Sequence, residues 1–489
     1  MLVQTLLDSC NRCPSKLAVD DGTRSLTYRQ LTLLARVFRD VVLRETSCER
    51  VGIMLPAGGA FPALLLGVHW ANRVAVPLNF LLAAKELTAV VADAGLDLVI
   101  TVHHFKSLCQ QLGVRALYLE ELSLRRHLLF AMLRRWPRLP VVDQHATAVL
   151  LYTSGTTGEP KGVELTHGNL LSNTVDSIEA LQLDRSHRFL NILPPFHVFG
   201  LTACVAMPIV AGASVFAQPR FNPLAAIKAV SRQKITALMA IPSMYAAMLR
   251  SKSATAEDFA SLRIAISGGE PLPASVRTGF RERFGVALHE GYGLTETSPV
   301  VSVNSAQSHR DGSVGRLIRN VEVRFVGPEG QILPQGQEGE IAVRGPGIMK
   351  GYYRKPEMTR GVLSEDGWFS TGDLGRIDSD GFLFITGRVK DMLIVGGENV
   401  YAREIEAALE AHEAVLQAAV IGIPADTRGE VPVAFVIPKL GQEVTEESLR
   451  TFARKSLAGF KVPRRIEIRT ELPTGPTGKI LKRKLRELL

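Results

Sequence analysis

Residues 150–170 read LLYTSGTTGEPKGVELTHGNL. The apolar run TAVLLYTS (147–154) has the length and β-branched content of a buried strand. It empties into a loop holding Thr153, Ser154, Gly155, Thr156, Thr157, Gly158 and Lys161. Such a loop offers backbone N–H groups, hydroxyls and a cation to a polyphosphate. It is not a Walker loop. That motif needs Gly-x4-Gly-Lys followed by Ser or Thr, whereas 155–162 is GTTGEPKG, with Pro160 before Lys161. A second glycine–lysine cluster near the end of the chain, LPTGPTGKILKRKL (472–485), fails the same test. Two residues separate Gly475 from Gly478, and Ile480 follows Lys479.

Working outward, VGIML, LDLVITV, ITALMAI and LRIAIS are further candidate buried strands. LTYRQLTLLARVFRDVVL and NPLAAIKAVSRQ have helical periodicity. The alternation predicts an α/β protein with parallel or mixed sheets flanked by helices. After about residue 312 the texture changes to short, glycine-bounded strands: VEVRFVG, GEIAVRG and GFLFITGR. Beyond Arg388 comes a compact α+β pattern. Residues 401–412 and 446–457 are helical, with Ile405, Leu409, Leu449 and Phe452 as their apolar positions. LQAAVIGI and VPVAFVIP are strands. RRIEIRT, where Ile466 and Ile468 alternate with charges, is a half-buried strand. The expected domains are 1–387, with a β-rich subdomain at about 312–387, and a small domain at 388–489.

The chain has 489 residues, 46% of them hydrophobic and 21% charged, enough to bury a large core. Its net charge of +9 is concentrated at one end. Residues 449–489 hold twelve Arg or Lys against three Asp or Glu, which accounts for the whole excess. An anionic partner is expected there, or a solvated basic face. Nucleic acid is disfavoured, because no basic patch is interleaved with aromatics. Five scattered cysteines, with Cys10 and Cys13 as a lone CxxC, predict free thiols and a reducing, cytoplasmic location. No signal-peptide pattern opens the chain. The apolar run at 201–217 contains Pro208 and Gly212 and suits a buried element better than a membrane span. RRHLLFAMLRRWPR (125–138) is basic with an apolar side. It predicts either a helix docked on its own protein or a peripheral membrane contact.

Four more stretches carry polar groups suited to a nucleotide. In EGYGLTETSP, Tyr292 can stack on a base, Thr295 can donate to phosphate and Glu296 can hold Mg²⁺, which takes few carboxylates when phosphate oxygens are present. In GWFSTGDLG, Asp373 sits in a glycine turn and can accept from ribose hydroxyls. GRVKDMLIVGGENVY supplies Arg388, Lys390, Gly396 and Gly397, and PTGPTGKI supplies Lys479. Singly each is weak, since an Asp beside Gly is usually a turn former.

Together, YTSGTTGEPKG, YGLTE, GEIAVRGPGIMKGYY, GWFSTGD, GRVKDMLIVGGENVY and PTGPTGKI resemble, in order and spacing, the signatures of the adenylate-forming superfamily, which includes acyl-CoA synthetases. The likeness spans 152–479, and the N-terminal region is similar too. The resemblance implies a large domain followed by a small mobile lid domain. It implies that the first loop, from Thr153 to Lys161, grips the phosphates of ATP. SGGEP (Ser267, Gly268, Gly269, Glu270, Pro271) and Gly291, Tyr292 and Gly293 would form the adenine slot. Thr295 would contact phosphate and Glu296 would ligate Mg²⁺. Asp373 and Arg388 would hold the ribose, Lys390 would be the hinge, and Lys479 would contact the acyl carboxylate and the α-phosphate. Gly396 and Gly397 would line the thiol entrance. Ala402 stands where many members have Pro, and 312–320 lacks the usual Pro-Gly turn.

The same resemblance places His197, Phe199 and Gly200 of PPFHVFGL, Ser243 of AIPSMY and Ser267 in the acid pocket. No acidic residue in PPFHVFGL is available to pair an ammonium, and none of these segments has a cation for a second carboxylate. The expected substrate is a hydrophobic acid, medium- or long-chain fatty, with aryl or alicyclic acids as the alternative. The acceptor is the thiol of CoA or of a carrier protein. A γ-phosphotransferase and a non-catalytic acyl-binding protein are competing readings. Loss of the Walker spacing opposes the first, and retention of Lys161, Glu296, Asp373 and Lys479 opposes the second.

Overall fold

The computed structural model describes residues 2–154, 160–395, 398–425, 429–439, 441–474 and 480–489. The side chains of Arg125, Ser154 and Asn399 also lie outside that description.

Two large sheets form the bulk of the molecule. In the seven-stranded sheet the neighbours run Gly351–Tyr352, Pro160–Thr166, Thr147–Ser154, Val74–Pro77, Arg50–Met54, Leu98–Thr101 and Arg115–Tyr118. The last five are parallel to one another. The nine-stranded sheet holds six parallel strands, from His289–Gly293 across to Leu17–Asp20. Strands such as Val74–Pro77, Leu98–Thr101 and Ala237–Ala240 are buried at every position. Helices cover both faces of a parallel sheet, so these strands read as continuous apolar runs rather than alternations.

The expected elements appear within one to four residues of their sequence bounds, and TAVLLYTS is the strand Thr147–Ser154 to the residue. Helix Tyr28–Glu45 starts where Thr27 forms a capping box with Gln30. It crosses helix Ala60–Trp70 so closely that a Cβ on Gly67 would stand 2.7 Å from the Ala35 carbonyl oxygen. Residues 201–217 form short buried helical turns and the strand Ser214–Ala217. No helix among the described residues is long and apolar enough to cross a membrane. All five cysteines are free, and burial pushes the Cys10 thiol up to about 12.

A five-stranded antiparallel sheet follows, ordered Ile332–Leu333, Glu322–Val326, Gly339–Arg344, Phe369–Ile377, Leu383–Arg388. The last sheet contains Glu398–Tyr401, Met392–Val395, Gly429–Pro438, Val415–Ala425 and Arg465–Ile468. One of its faces packs Ile405, Leu409 and Leu449 from helices Ala402–Glu410 and Glu446–Ala453. The other packs Leu472 and Leu485 from the C-terminal segment. In the edge strand Arg465–Ile468 only Ile466 is in the core. Ile468, at the end of its pairing, is exposed, so the alternation holds for one of the two isoleucines.

Replacing Gly67 with Val would force helices Tyr28–Glu45 and Ala60–Trp70 apart. The expected cost is about 1–3 kcal/mol, the usual range for overpacking. Urea denaturation would measure it, and an unchanged midpoint would contradict the close crossing.

Candidate active site

The glycine-rich stretch at 155–159 joins two strands of an antiparallel hairpin, Thr147–Ser154 and Pro160–Thr166. Gly155, Thr156, Thr157 and Gly158 lie outside the described residues, but the flanks fix where the loop is rooted. Thr153 pairs with Lys161 across the hairpin. The Lys161 ammonium lies 5.7 Å from the centre of the Tyr352 ring. Tyr352 is on the short edge strand Gly351–Tyr352, and its hydroxyl donates to Glu296 Oε1 at 2.8 Å. Glu296 follows Thr295 in a single 3₁₀ turn, and its carbonyl accepts from the Met349 N–H at 2.8 Å. Three segments far apart in sequence thus bring a cation, a phenol and a carboxylate to one place. One partly exposed carboxylate is the donor set expected for a divalent cation whose other ligands are phosphate oxygens and water.

A second constellation adjoins the first. The Tyr292 hydroxyl, from strand His289–Gly293, donates to Asp373 Oδ2 at 2.7 Å. Arg388 Nε lies 2.7 Å from Asp373 Oδ1. Asp373 and Arg388 face each other across strands Phe369–Ile377 and Leu383–Arg388. Asp373 is only 2% exposed. Burial and the Asp373 carboxylate push the Tyr292 phenol well above its ordinary range, so it stays a donor. Lys390 follows directly. Burial, then the Arg388 cation beside it, lowers its pKa, and Lys161 is close enough to act in the same direction.

An apolar wall of Phe199 and Ile241 meets the segments 267–269 and 291–293 through glycines. The Gly268 Cα region abuts the Phe199 ring, where an added Cβ would be 3.4 Å away, and the Gly291 carbonyl at 3.5 Å. Gly269 has a positive φ of 84° beside Ile241. Gly293 passes so close to the Pro299 carbonyl that a Cβ would stand 1.9 Å from it, and Gly200 would put one 2.2 Å from the Pro194 carbonyl oxygen. No other residue fits those two backbone approaches. Burial pushes the His197 imidazole down to about 4, so it is neutral at neutral pH. Its Nε2, like the Ser267 hydroxyl, is buried without a hydrogen-bond partner among the described residues. Buried polar atoms of that kind are costly unless something fills the need, a ligand included. Ser243, in contrast, is exposed in the first turn of helix Pro242–Leu249, and Pro271 is exposed as well.

Gly396, Gly397 and Lys479 lie outside the described residues. The ends of the last loop are nonetheless tied, since Thr474 bridges Ile480 and the Leu481 N–H donates to the Pro473 carbonyl. Lys482 then pairs with Glu406 at 2.7 Å and with Asp391 at 3.6 Å. Sequence reasoning missed Tyr352. Its motif was noted, but only the fold shows that its hydroxyl reaches Glu296.

His69, His167 and His289 are also pushed down by burial, to about 3, 4 and 4. In the unfolded chain each imidazole binds a proton near pH 6.5. The unfolded state therefore gains protons first as pH falls, and stability contributed by these groups is lost from about pH 6.5 downward toward 4. Urea midpoints should drop between pH 7.5 and 5. A flat profile would mean that the four imidazoles are not held neutral.

Comparison with known proteins identifies the family. The AMP-binding enzyme family matches residues 6–353, and the AMP-binding enzyme C-terminal domain matches 404–479. A feruloyl-CoA synthase from Amycolatopsis sp is 37% identical over 481 residues, covering 97% of this chain and 96% of its own. A long-chain-fatty-acid–CoA ligase from Bacillus subtilis (strain 168) is 34% identical over 531 residues, covering 99% and 94%. The solved structure of ATP-bound MatB from Rhodopseudomonas palustris is similar with a TM-score of 0.91 at 31% identity, covering 100% of this chain and 98% of that one. The chain therefore belongs to the adenylate-forming AMP-binding enzymes and is an AMP-forming acid–CoA ligase.

Proposed function

We propose that the enzyme activates a hydrophobic, fatty-class carboxylic acid and passes it to the thiol of CoA. The observation that carries this reading is the contact of Phe199 with Gly268, beside the neutral His197. It sets an apolar wall against the segment assigned to adenine and offers no charge to a polar substrate. A second reading, an aryl acid, is favoured by the 37% identity to a feruloyl-CoA synthase.

In the first half-reaction a carboxylate oxygen of the acid attacks the α-phosphorus of ATP. The bond to the bridging oxygen between the α- and β-phosphates breaks, and pyrophosphate leaves. Two anions must approach, so the site needs cations. Lys161 and the loop rooted at Thr153 and Ser154 hold the phosphates, and Thr295 donates to them. Glu296, oriented by Tyr352, would hold Mg²⁺, which offsets phosphate charge. Lys479 bridges the acyl carboxylate and the α-phosphate. The ribose hydroxyls reach Asp373 beside Arg388. Both Asp373 oxygens already accept one partner, so the diol uses the remaining lone pairs or displaces the Tyr292 hydroxyl. Adenine lies against Gly268, Gly269, Glu270, Pro271, Gly291, Tyr292 and Gly293.

In the second half-reaction the thiol sulfur attacks the acyl carbon, the thiol gives up its proton, and AMP leaves. We take 388 as the boundary of a small domain that turns about Lys390. The turn withdraws Lys479 and brings Gly396 and Gly397 to the thiol. A carrier-protein arm bears the same thiol and is the alternative acceptor.

Carboxylate-dependent ATP–pyrophosphate exchange across a panel of fatty and aryl acids should peak with fatty acids. A maximum with hydroxycinnamates would establish the aryl reading, and exchange with neither class would sink both. Lys479→Ala should lower adenylation about 10²–10³-fold, the usual effect of removing one preorganised donor. Thiolation of supplied acyl-AMP should be largely intact, and equal loss in both steps would refute the assigned role.

A further inference from the structure

We propose that residues 124–141 form a docking surface for an anionic lipid bilayer. Among the described residues, the large exposed apolar side chains concentrate here: Leu129, Phe130, Met132, Leu133, Trp136 and Val141. Leu133 is 76% exposed and Met132 64%, at the end of helix Leu124–Leu133. The opposite side of that helix is satisfied. Leu124, Leu128 and Ala131 pack on Val37 and Val41 of helix Tyr28–Glu45. The outward face is therefore surplus to the fold, and a contiguous apolar patch on a protein surface marks a contact site.

The charge says what it contacts. From 122 to 142 there is no acidic residue, while Arg125, Arg126, Arg134, Arg135 and Arg138 lie within that span. The last four are exposed around the apolar side chains. Exposed Leu, Phe and Trp ringed by arginines suit the boundary between acyl chains and anionic headgroups. A second copy of the chain is a poor fit, because a self-complementary interface would set these arginines against their own copies.

The patch is also held rigid. Buried Arg36 donates to the carbonyls of Arg134 and Arg135, at 3.1 and 2.9 Å. Its guanidinium lies 5.0 Å from the centre of the Trp136 ring, which stacks on Trp70 at 5.9 Å. The backbone after the helix is thus clamped by Arg36, while Leu139 and Val142 anchor it inward and the arginines stay exposed. The proposal does not depend on which acid the enzyme activates.

The test is co-sedimentation of the full chain with vesicles of phosphatidylcholine alone or mixed with phosphatidylglycerol. Binding is expected only with phosphatidylglycerol and should weaken at high salt. Arg134→Glu with Arg135→Glu, and separately Met132→Asp with Leu133→Asp, should each reduce binding at least about tenfold. Both variants should keep the wild-type melting midpoint and ATP binding, which separates lost docking from lost folding. Binding equal in wild type and folded variants would overturn the proposal. So would indifference to lipid charge, or a concentration-dependent dimer that the Asp variant dissociates without any vesicle binding.

Discussion

One buried carboxylate ties the parts of this molecule together. Asp373 accepts from Tyr292 of the nine-stranded sheet and pairs with Arg388 at the end of the five-stranded one. A carboxylate this deeply buried is tolerable only when its oxygens are paired, and removing one partner of such a pair typically costs about 3–5 kcal/mol. The contact therefore fixes the distance between two sheets and, through Arg388, the place where about the last fifth of the chain begins. Lys390 lies two residues further on, already pressed by Arg388 and Lys161. Geometry and electrostatics at this junction are the same thing.

The glycine-rich loop departs from the usual phosphate cradle for a topological reason. Its strand is followed by a second, antiparallel strand rather than by a helix. A helix N-terminus would contribute a partial positive charge through its backbone. The strand that follows, Pro160–Thr166, supplies no such helix end, so under the proposed function the positive charge comes from side chains. Lys161 supplies one such charge, beside the Tyr352 ring whose hydroxyl donates to Glu296.

The sequence made the local elements legible because each carries its own period. Strands buried on both faces read as apolar runs, and Thr147–Ser154 was bounded to the residue. Asp373, Arg388, Tyr292 and Glu296 were legible through their motifs. What the sequence hid are contacts with no period. Tyr352 reaches Glu296 across 56 positions. Arg36 reaches the backbone at 134 and 135 from a helix whose pattern gives no hint of an inward guanidinium. Ser243 was expected at the acid and is exposed. A motif gives residue types in order, whereas exposure depends on which neighbour the fold places alongside. The stretch at 125–138 shows both sides of this. Its basic, apolar-sided character was plain, but the contacts that leave part of the apolar side exposed, Leu124, Leu128 and Ala131 on Val37 and Val41, belong to the packing against another helix.

The last helix, Lys482–Arg486, has a consequence out of proportion to its length. Lys482 pairs with Asp391, one residue past Lys390, and with Glu406. Thr474 and Ile480 pair with each other just before that helix. The end of the chain is thereby tied beside Lys390, the proposed pivot, instead of trailing behind it. The proposed rotation about Lys390 would carry the tail at constant radius, as a crank carries its pin. Under the proposed function, the timing of the two half-reactions would then be set by residues that never touch a substrate.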